Sequence, residues 1–368
     1  MKNYKICSRC VMDTSDPDIS FDQNQFCNNC TNCIEESKSI RPKGKERIEK
    51  LRTTIEKIKK SSKGKKYDCL IGMSGGIDSS YLAYLVTELG LRPLALHMDN
   101  GWNSQEAVKN IKNVCTKLNI DYSSHVLDWK EFKDIQLSFL KSSIVEVEIP
   151  TDTAIAGTLH RMAAKHNIKF IISGGNYASE GILPKKWFYD PNDKKLFQSI
   201  QKIFGKEKIK KFPFFDYKRE IYYKFFKRIK MIYLLNLYDY DKEDAKKILE
   251  EKLNYTAPTG KHHESVYTRF MQSYIQPVKF NLDYRRATYS SLICSGFMKR
   301  EEALKLLKNL PYKDDQVEKD ITYVSKKFGI TENDFKAIIN KPAKSYKDYP
   351  NNERFLTIIY NIYRAIFN

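Results

Sequence analysis

The chain has 368 residues, 41% of them apolar, and a length prior of ~150 residues per domain allows two domains with sizeable cores. No stretch reaches the roughly 18 uncharged apolar residues of a membrane span, and the opening MKNYKICSRC lacks an apolar signal region, so a soluble cytoplasmic protein is expected. The net charge of +19 favours anionic partners such as nucleotides, nucleotide-sugars, RNA or an acidic protein, without choosing among them.

In chain order, residues 1–40 hold five of the eight cysteines in a stretch that reads as turn-rich and helix-poor. Cys7-Ser8-Arg9-Cys10 and Cys27-Asn28-Asn29-Cys30 form two CxxC pairs, the spacing of a structural tetrahedral zinc site. The string CNNCTNC also offers Cys33 as a replacement for Cys30, and an iron–sulfur cluster is the rival occupant. Residues 41–66 are a linker with Ile48, Leu51, Ile55 and Ile58 on one face of an amphipathic helix, ended by SSKGKK.

From Tyr67 to residue 182, strands alternate with helices. YDCLIGM, RPLALHM, DYSSHVL and IKFIIS read as strands; residues 78–89, the stretch carrying Ala107 to Leu118, 129–143 and 153–166 read as helices. This is an α/β fold with a parallel sheet covered on both faces, whose ligands bind beyond the carboxyl ends of the strands. Residues 183–368 read as a mainly helical region for substrate or partner binding. Between Lys185 and Lys230 it carries fifteen Lys or Arg against five Asp or Glu.

The first strand runs into Ser74-Gly75-Gly76-Ile77-Asp78-Ser79-Ser80 and then a helix. Paired glycines permit positive φ and close approach of a ligand. Inward N–H groups and the helix N-terminus then form an anion site. The three serines add hydroxyl donors, and Asp78 is placed to cap the helix or to hold Mg²⁺ through water. No GxxxxGK[ST] string is present.

SGGIDSS resembles the PP-loop of the ATP pyrophosphatase superfamily, which implies that the loop grips the β- and γ-phosphates of ATP while the α-phosphorus is attacked. Met98 and Asp99 at the second strand end, and Gly174 and Asn176 after the fourth, are then candidates for ATP contact. The alternative reading of Asp99 is a simple turn residue in Asp-Asn-Gly.

The whole set resembles more than the loop. CSRCVMDTSDPDISFDQNQFCNNC, SGGIDSS, LHMDNGW, PTDTAIAGTLHRMAAKHNIKFIISGGNYASEG and GKHHESVYTRFMQSYIQPVKFNLDYRRATYSSLICSG are similar, in that order, to the N-acetyl sugar amidotransferases of bacterial surface-polysaccharide (LPS O-antigen) synthesis. The resemblance runs through residues 1–305; 185–250 aligns with nothing.

It implies adenylation of an acetamido oxygen with release of pyrophosphate, then displacement of AMP by ammonia to give an acetamidino sugar. It also implies ATP, Mg²⁺ and structural Zn²⁺ as cofactors. Ammonia would come from a separate glutaminase resembling that of imidazole glycerol phosphate synthase, with its cyclase-like companion; neither a membrane nor nucleic acid is expected as partner. Lys261 and His262 join Asp78 as catalytic candidates, and Asp152, His160, Arg161, His263, Glu264, Arg269, Arg285 and Arg286 are substrate candidates. A tRNA base-thiolating PP-loop enzyme is the alternative, although Cys69 and Cys115 read as buried and poorly placed for sulfur transfer.

Overall fold

The computed structural model describes residues 4–257 and 264–367. Five parallel strands form one sheet of order β3-β2-β1-β4-β5: β1 (Cys69–Gly72), β2 (Pro93–Asp99), β3 (Asp121–Val126), β4 (Phe170–Ser173) and β5 (Lys230–Tyr233). Two helices precede it, α1 (Asn28–Ile40) and α2 (Gly44–Ser61). α3 (Ile77–Glu88), α4 (Gln105–Lys117), α5 (Trp129–Ser142) and α6 (Ile149–Lys165) connect the first four strands. α7 (Tyr177–Glu180), α8 (Lys194–Phe204) and α9 (Tyr217–Ile221) lie between β4 and β5. Then come α10 (Lys242–Leu253), α11 (Val266–Phe270), α12 (Gln276–Phe280), α13 (Tyr284–Cys294), α14 (Arg300–Leu307), α15 (Asp314–Phe328), α16 (Glu332–Ile339) and α17 (Glu353–Phe367).

The alternation of side chains along a strand builds the two layers. Cys69 and Ile71 of β1 point into a core with Leu82 and Val86 of α3 and Leu249 of α10. Leu70 points the other way, to Leu94, Leu96, Ile171 and Ala163 of α6. A parallel sheet needs both faces covered, and these apolar strands have no solvent face. α6 lies so close to the chain after α8 that a Cβ on Gly157 would sit 1.8 Å from the Pro213 carbonyl oxygen, so only glycine fits there. A separate core of helical segments surrounds Trp102, which is fully buried and stacked on Tyr267 at 4.9 Å.

Two sequence expectations change. Residues 28–40, expected to be helix-poor, form α1, because the Cys27 thiolate position accepts the Cys30 N–H and so caps a helix. The region after 183, expected to be mainly helical, also donates β5 to the sheet edge, where Lys230–Tyr233 pairs with Phe170–Ser173. Among the described residues no helix is long and apolar enough to cross a membrane.

The order 3-2-1-4-5 puts the reversal of strand order between β1 and β4. The loops leaving those two strands diverge, and a crevice opens at their carboxyl ends.

Candidate active site

A cavity of about 820 Å³ occupies that crevice, within the roughly 300–1,000 Å³ range of small-molecule sites. The loop after β1 forms its floor. Gly75 has φ +86°, and a Cβ there would stand 2.5 Å from the Ala107 carbonyl oxygen, so the turn requires glycine on two grounds. The Gly75 carbonyl accepts the Tyr255 hydroxyl at 3.0 Å and the Asn110 amide at 3.4 Å, which fixes the loop on α4. Ser74 and Ser79 hydroxyls lie 3.1 Å apart, and Gly76 N–H donates to Ser74 Oγ.

No side chain caps α3 at Gly76, so its first N–H groups remain available to an anion. Asp78 is therefore not the cap. Its carboxylate accepts the Tyr240 hydroxyl, and burial together with the Asp78 charge pushes that phenol well up, keeping it a donor. Across the loop, Glu264 Oε1 is 3.4 Å from the Ser74 hydroxyl, and burial reinforced by Asp78 raises its carboxyl. Lys242 and Lys246, one turn apart on α10, line the same space.

The end of β2 forms a second wall. His97 Nδ1 bonds the Met73 carbonyl at 2.9 Å, and its Nε2 meets the Asn103 amide at 3.1 Å, so both ring nitrogens have partners and the ring is held in place. Met98 and Asn100 line the cavity. Asp99 does not; its carboxylate accepts Gly101 N–H at 2.8 Å and Asn103 at 3.1 Å, the turn role weighed for it above. After β4, Gly174 lines the cavity, and a Cβ on it would approach Ser79 N to 3.1 Å, which keeps the two loops in contact. Asn176 is buried and caps α7 through Ser179 N–H.

Of the remaining candidates, Asp152 and Glu264 face the cavity. His160 is buried against Phe215 and Tyr223, with Nδ1 on the Ala156 carbonyl; Arg161 is exposed. Arg269 pairs with Asp320 outside the cavity. Arg285 pairs with Asp283 at 2.7 Å and bonds the Asn309 carbonyl. Arg286 binds Asp13 at 3.0 Å and the Val11 carbonyl at 2.9 Å. The structure thus does not bring these three arginines to the cavity; each already has a structural partner. Lys261, His262 and His263 lie outside the described residues.

Several cavity residues escaped the sequence reading. Glu146 and Glu148 stand just before α6, with Thr268, Gln272, Gln276 and Tyr284 opposite and Trp187, Phe188 and Tyr189 beside them. Burial pushes the Glu146 carboxyl up to about 7. Burial, then the Asp152 charge, pushes Glu148 to about 8. Asp152 is exposed to the cavity, yet the surrounding protein raises its carboxyl to about 7.

Glu148 therefore holds its proton more tightly folded than unfolded. The stability this contributes is fully present below the ordinary value of 4.5 and is lost as pH rises through about 8. Glu148→Gln removes that loss. The ligand-free variant is expected to gain melting temperature relative to wild type between about pH 5 and about pH 8.5, by several degrees. A difference that stays flat or shrinks across that window contradicts the burial of this carboxyl, and thermal melts at the two pH values decide it.

The cysteine cluster lies apart from the cavity. The sulfurs of Cys7, Cys10, Cys27 and Cys30 all fall within 4.8 Å of one another and are buried, so they can hold a metal ion. Backbone N–H groups of Arg9, Cys10 and Cys27 point at the Cys7 sulfur, and hydrogen bonds from Cys10 and Cys27 hold that thiol down to about 6. Cys33, the alternative ligand, is buried outside the foursome. The module is clamped to the helical region by Arg300 on the Cys7 and Cys10 carbonyls, by Arg286, and by Ser290 accepting Val11 N–H.

Comparison with known proteins assigns two parts of the chain. Residues 47–169 match the family described as NAD synthase, and residues 264–365 match "LPS biosynthesis protein WbpG-like, C-terminal domain". The first three strands and the loop thus lie in an NAD-synthase-like, PP-loop part of the chain, and a WbpG-like part follows.

The chain is 35% identical over 70 residues to tRNA(Ile)-lysidine synthase of Chlamydia pneumoniae, 18% of this chain and 22% of that protein. It is 29% identical over 127 residues to a probable mitochondrial tRNA-specific 2-thiouridylase of Caenorhabditis elegans, 30% of this chain and 33% of that protein. It is 35% identical over 88 residues to 7-cyano-7-deazaguanine synthase of Sulfurimonas denitrificans, 24% and 38%. The chain thus spans well under half the length of these relatives. Among solved structures it is similar to the U34-tRNA thiolase NcsA from Methanococcus maripaludis with its [4Fe-4S] cluster, at 16% identity and TM-score 0.35 over 83% of this chain and 88% of that one.

Proposed function

We propose that the protein is an ATP-dependent N-acetyl sugar amidotransferase of surface-polysaccharide synthesis. It adenylates the oxygen of an acetamido group, releases pyrophosphate, and lets ammonia displace AMP to leave an acetamidino sugar. The observation that carries this reading is the composition of one cavity. Its floor and first wall come from the NAD-synthase-like part, and its opposite wall, Glu264, Thr268, Gln272, Gln276 and Tyr284, comes from the WbpG-like part. A phosphate-gripping loop and a polysaccharide-associated region thus share one space.

Within this reading Ser74 to Ser80 and the free N-terminus of α3 hold the β- and γ-phosphates, with Lys242 and Lys246 adding positive charge. Asp78 and Glu264 flank the loop as the carboxylate oxygens that suit Mg²⁺, whose chemistry is to neutralise charge on the leaving pyrophosphate. The α-phosphorus stays open toward the wall of Glu148, Gln276 and Tyr284, where the acetamido group is placed.

The metal of the cysteine module is taken as zinc. Tetrahedral bonds of about 2.3 Å put sulfurs about 3.8 Å apart, and Cys10–Cys27 and Cys7–Cys30 stand at 3.6 and 3.8 Å. A four-iron cluster spreads its thiolates further. The location is the cytoplasm, where ATP and nucleotide-sugars are available. The ammonia source is a separate glutaminase of the imidazole glycerol phosphate synthase kind with its cyclase-like companion, docked on basic surface.

The rival, base thiolation, needs a sulfur at the reacting carbon. Among the described residues lining the cavity there is no cysteine, and Cys69 and Cys115 are buried in the sheet layer. The test is incubation with ATP, Mg²⁺, ammonium and a panel of UDP-diacetamido sugars and acetamido nonulosonic acids, alongside tRNA. Expected are AMP, pyrophosphate and a sugar carrying the small mass loss of NH in place of O. Turnover with tRNA alone overturns the proposal.

A further inference from the structure

We infer that the wall formed by Glu146, Glu148 and Gln276 is the site of the nitrogen donor, received as ammonium, and that Glu148 takes the proton ammonium must lose. The inference rests on the amidotransferase reading and assigns residues to its second half.

Four residues that line this cavity carry a buried polar atom with no hydrogen-bond partner: the Thr158 hydroxyl and, grouped on one wall, the acceptors Glu146 Oε2, Glu148 Oε1 and Gln276 Oε1. Their residues are otherwise anchored. Gln276 is 4% exposed and donates its amide to the Val145 carbonyl, and the second Glu148 oxygen accepts the Thr268 hydroxyl at 3.1 Å. Glu146 is 9% exposed. Leaving a buried acceptor unpaired is costly, so three on one wall call for a ligand that supplies donors.

The charge points the same way. Glu146, Glu148 and Asp152 all act on the buried Tyr284 phenol, raising it, and so lie around one point. Among the described residues no ion pair reaches any of the three. Nor do the three carboxylates converge within 4.8 Å of one another, as a ready divalent-metal cage would. Ammonium is the small species with only donors and a positive charge, and a donor-only ligand suits acceptors that include an amide oxygen as well as carboxylates. Burial raises these carboxyls toward neutrality, and a bound cation offsets that cost.

The chemistry requires such a site. Ammonium has no lone pair, so it cannot attack carbon. Transfer of one proton to the Glu148 carboxylate gives neutral ammonia and a carboxylic acid. The ammonia lone pair then forms the C–N bond to the adenylated carbon, the C–O bond to AMP breaks, and AMP leaves with that electron pair. One proton moves from the added nitrogen to the imidate nitrogen on the sugar, and the amidinium carries a single positive charge. A carboxylate whose proton affinity is raised by burial is a better base for this than one in water.

Two measurements test this on the full chain. The first is a crystal soaked in rubidium chloride, a monovalent cation of ammonium size with an anomalous signal. The expected result is a peak in contact with Glu148 and Gln276, lost when ammonium is added; no peak there overturns the inference. The second is steady-state kinetics of Glu148→Gln. Expected is a rise of at least about tenfold in KM for ammonium, larger than any change in KM for ATP or for the sugar. An unchanged KM for ammonium, or a rise in KM for the sugar in its place, overturns the inference alone. Wild-type protein that makes no amidine from any acetamido sugar overturns the amidotransferase reading and the inference with it.

Discussion

Asp78→Ala is expected to lower AMP formation by at least about 10³-fold, the scale of losing a preorganised stabiliser of developing charge, here the carboxylate that would hold the Mg²⁺ neutralising the leaving pyrophosphate. The carboxylate stands at the second position of α3 beside the anion loop, with Glu264 across from it. It does not cap the helix, so the helix keeps its start without it. The structural cost is one lost acceptor for the buried Tyr240 hydroxyl, about 1–3 kcal/mol. Tyr240→Phe separates the two roles, since it removes the same hydrogen bond and leaves the carboxylate in place. Its rate is expected to fall by no more than about tenfold. Equal losses in the two variants, measured as AMP released per minute, would reduce Asp78 to a partner of Tyr240.

Metal removal from the N-terminal module is the second large effect. Cys27 is both a sulfur of the foursome and the N-cap of α1, and its neighbours' carbonyls are held by Arg300. Binding energies of structural zinc sites run to roughly 10–16 kcal/mol, so loss of the metal exceeds what the module's small core supplies. Cys27→Ser is expected to lose its zinc by elemental analysis and to lower the melting temperature by more than 10 °C or so. Activity falls with it, because the module packs on α13, which carries the cavity residue Tyr284. A metal-free variant that melts as wild type would make the cluster dispensable. Iron with sulfide in anaerobically purified protein would replace zinc.

What the sequence disclosed follows from how local each signal is. Ser74 to Ser80 is legible because an apolar strand, two glycines and a helix start are adjacent in the chain. The same holds for the paired cysteines, although spacing leaves Cys30 and Cys33 interchangeable and only the fold puts Cys33 outside the foursome. Lys230–Tyr233 was illegible as a strand, since Lys-Met-Ile-Tyr is short and lies at the sheet edge with three of its four residues exposed. Arg285 and Arg286 read as substrate contacts because charge is visible in a sequence and its partner is not. Asp13, which neutralises Arg286, is 273 positions away. Glu146 and Glu148 show the converse. Nothing in Val-Glu-Val-Glu marks them as a site, and only the fold reveals that Thr268 and Gln276 close over them. Lys242 and Lys246 join the loop from a stretch that aligned with nothing.

The central claim is that the carbonyl oxygen of an acetamido group attacks the α-phosphorus of ATP. Substrate carrying ¹⁸O in that acetamido group tests it in one turnover. The account predicts that the label appears in the phosphate of AMP, in amounts equal to the amidine formed. Label retained in the sugar, or released to water while ATP yields ADP, would contradict it.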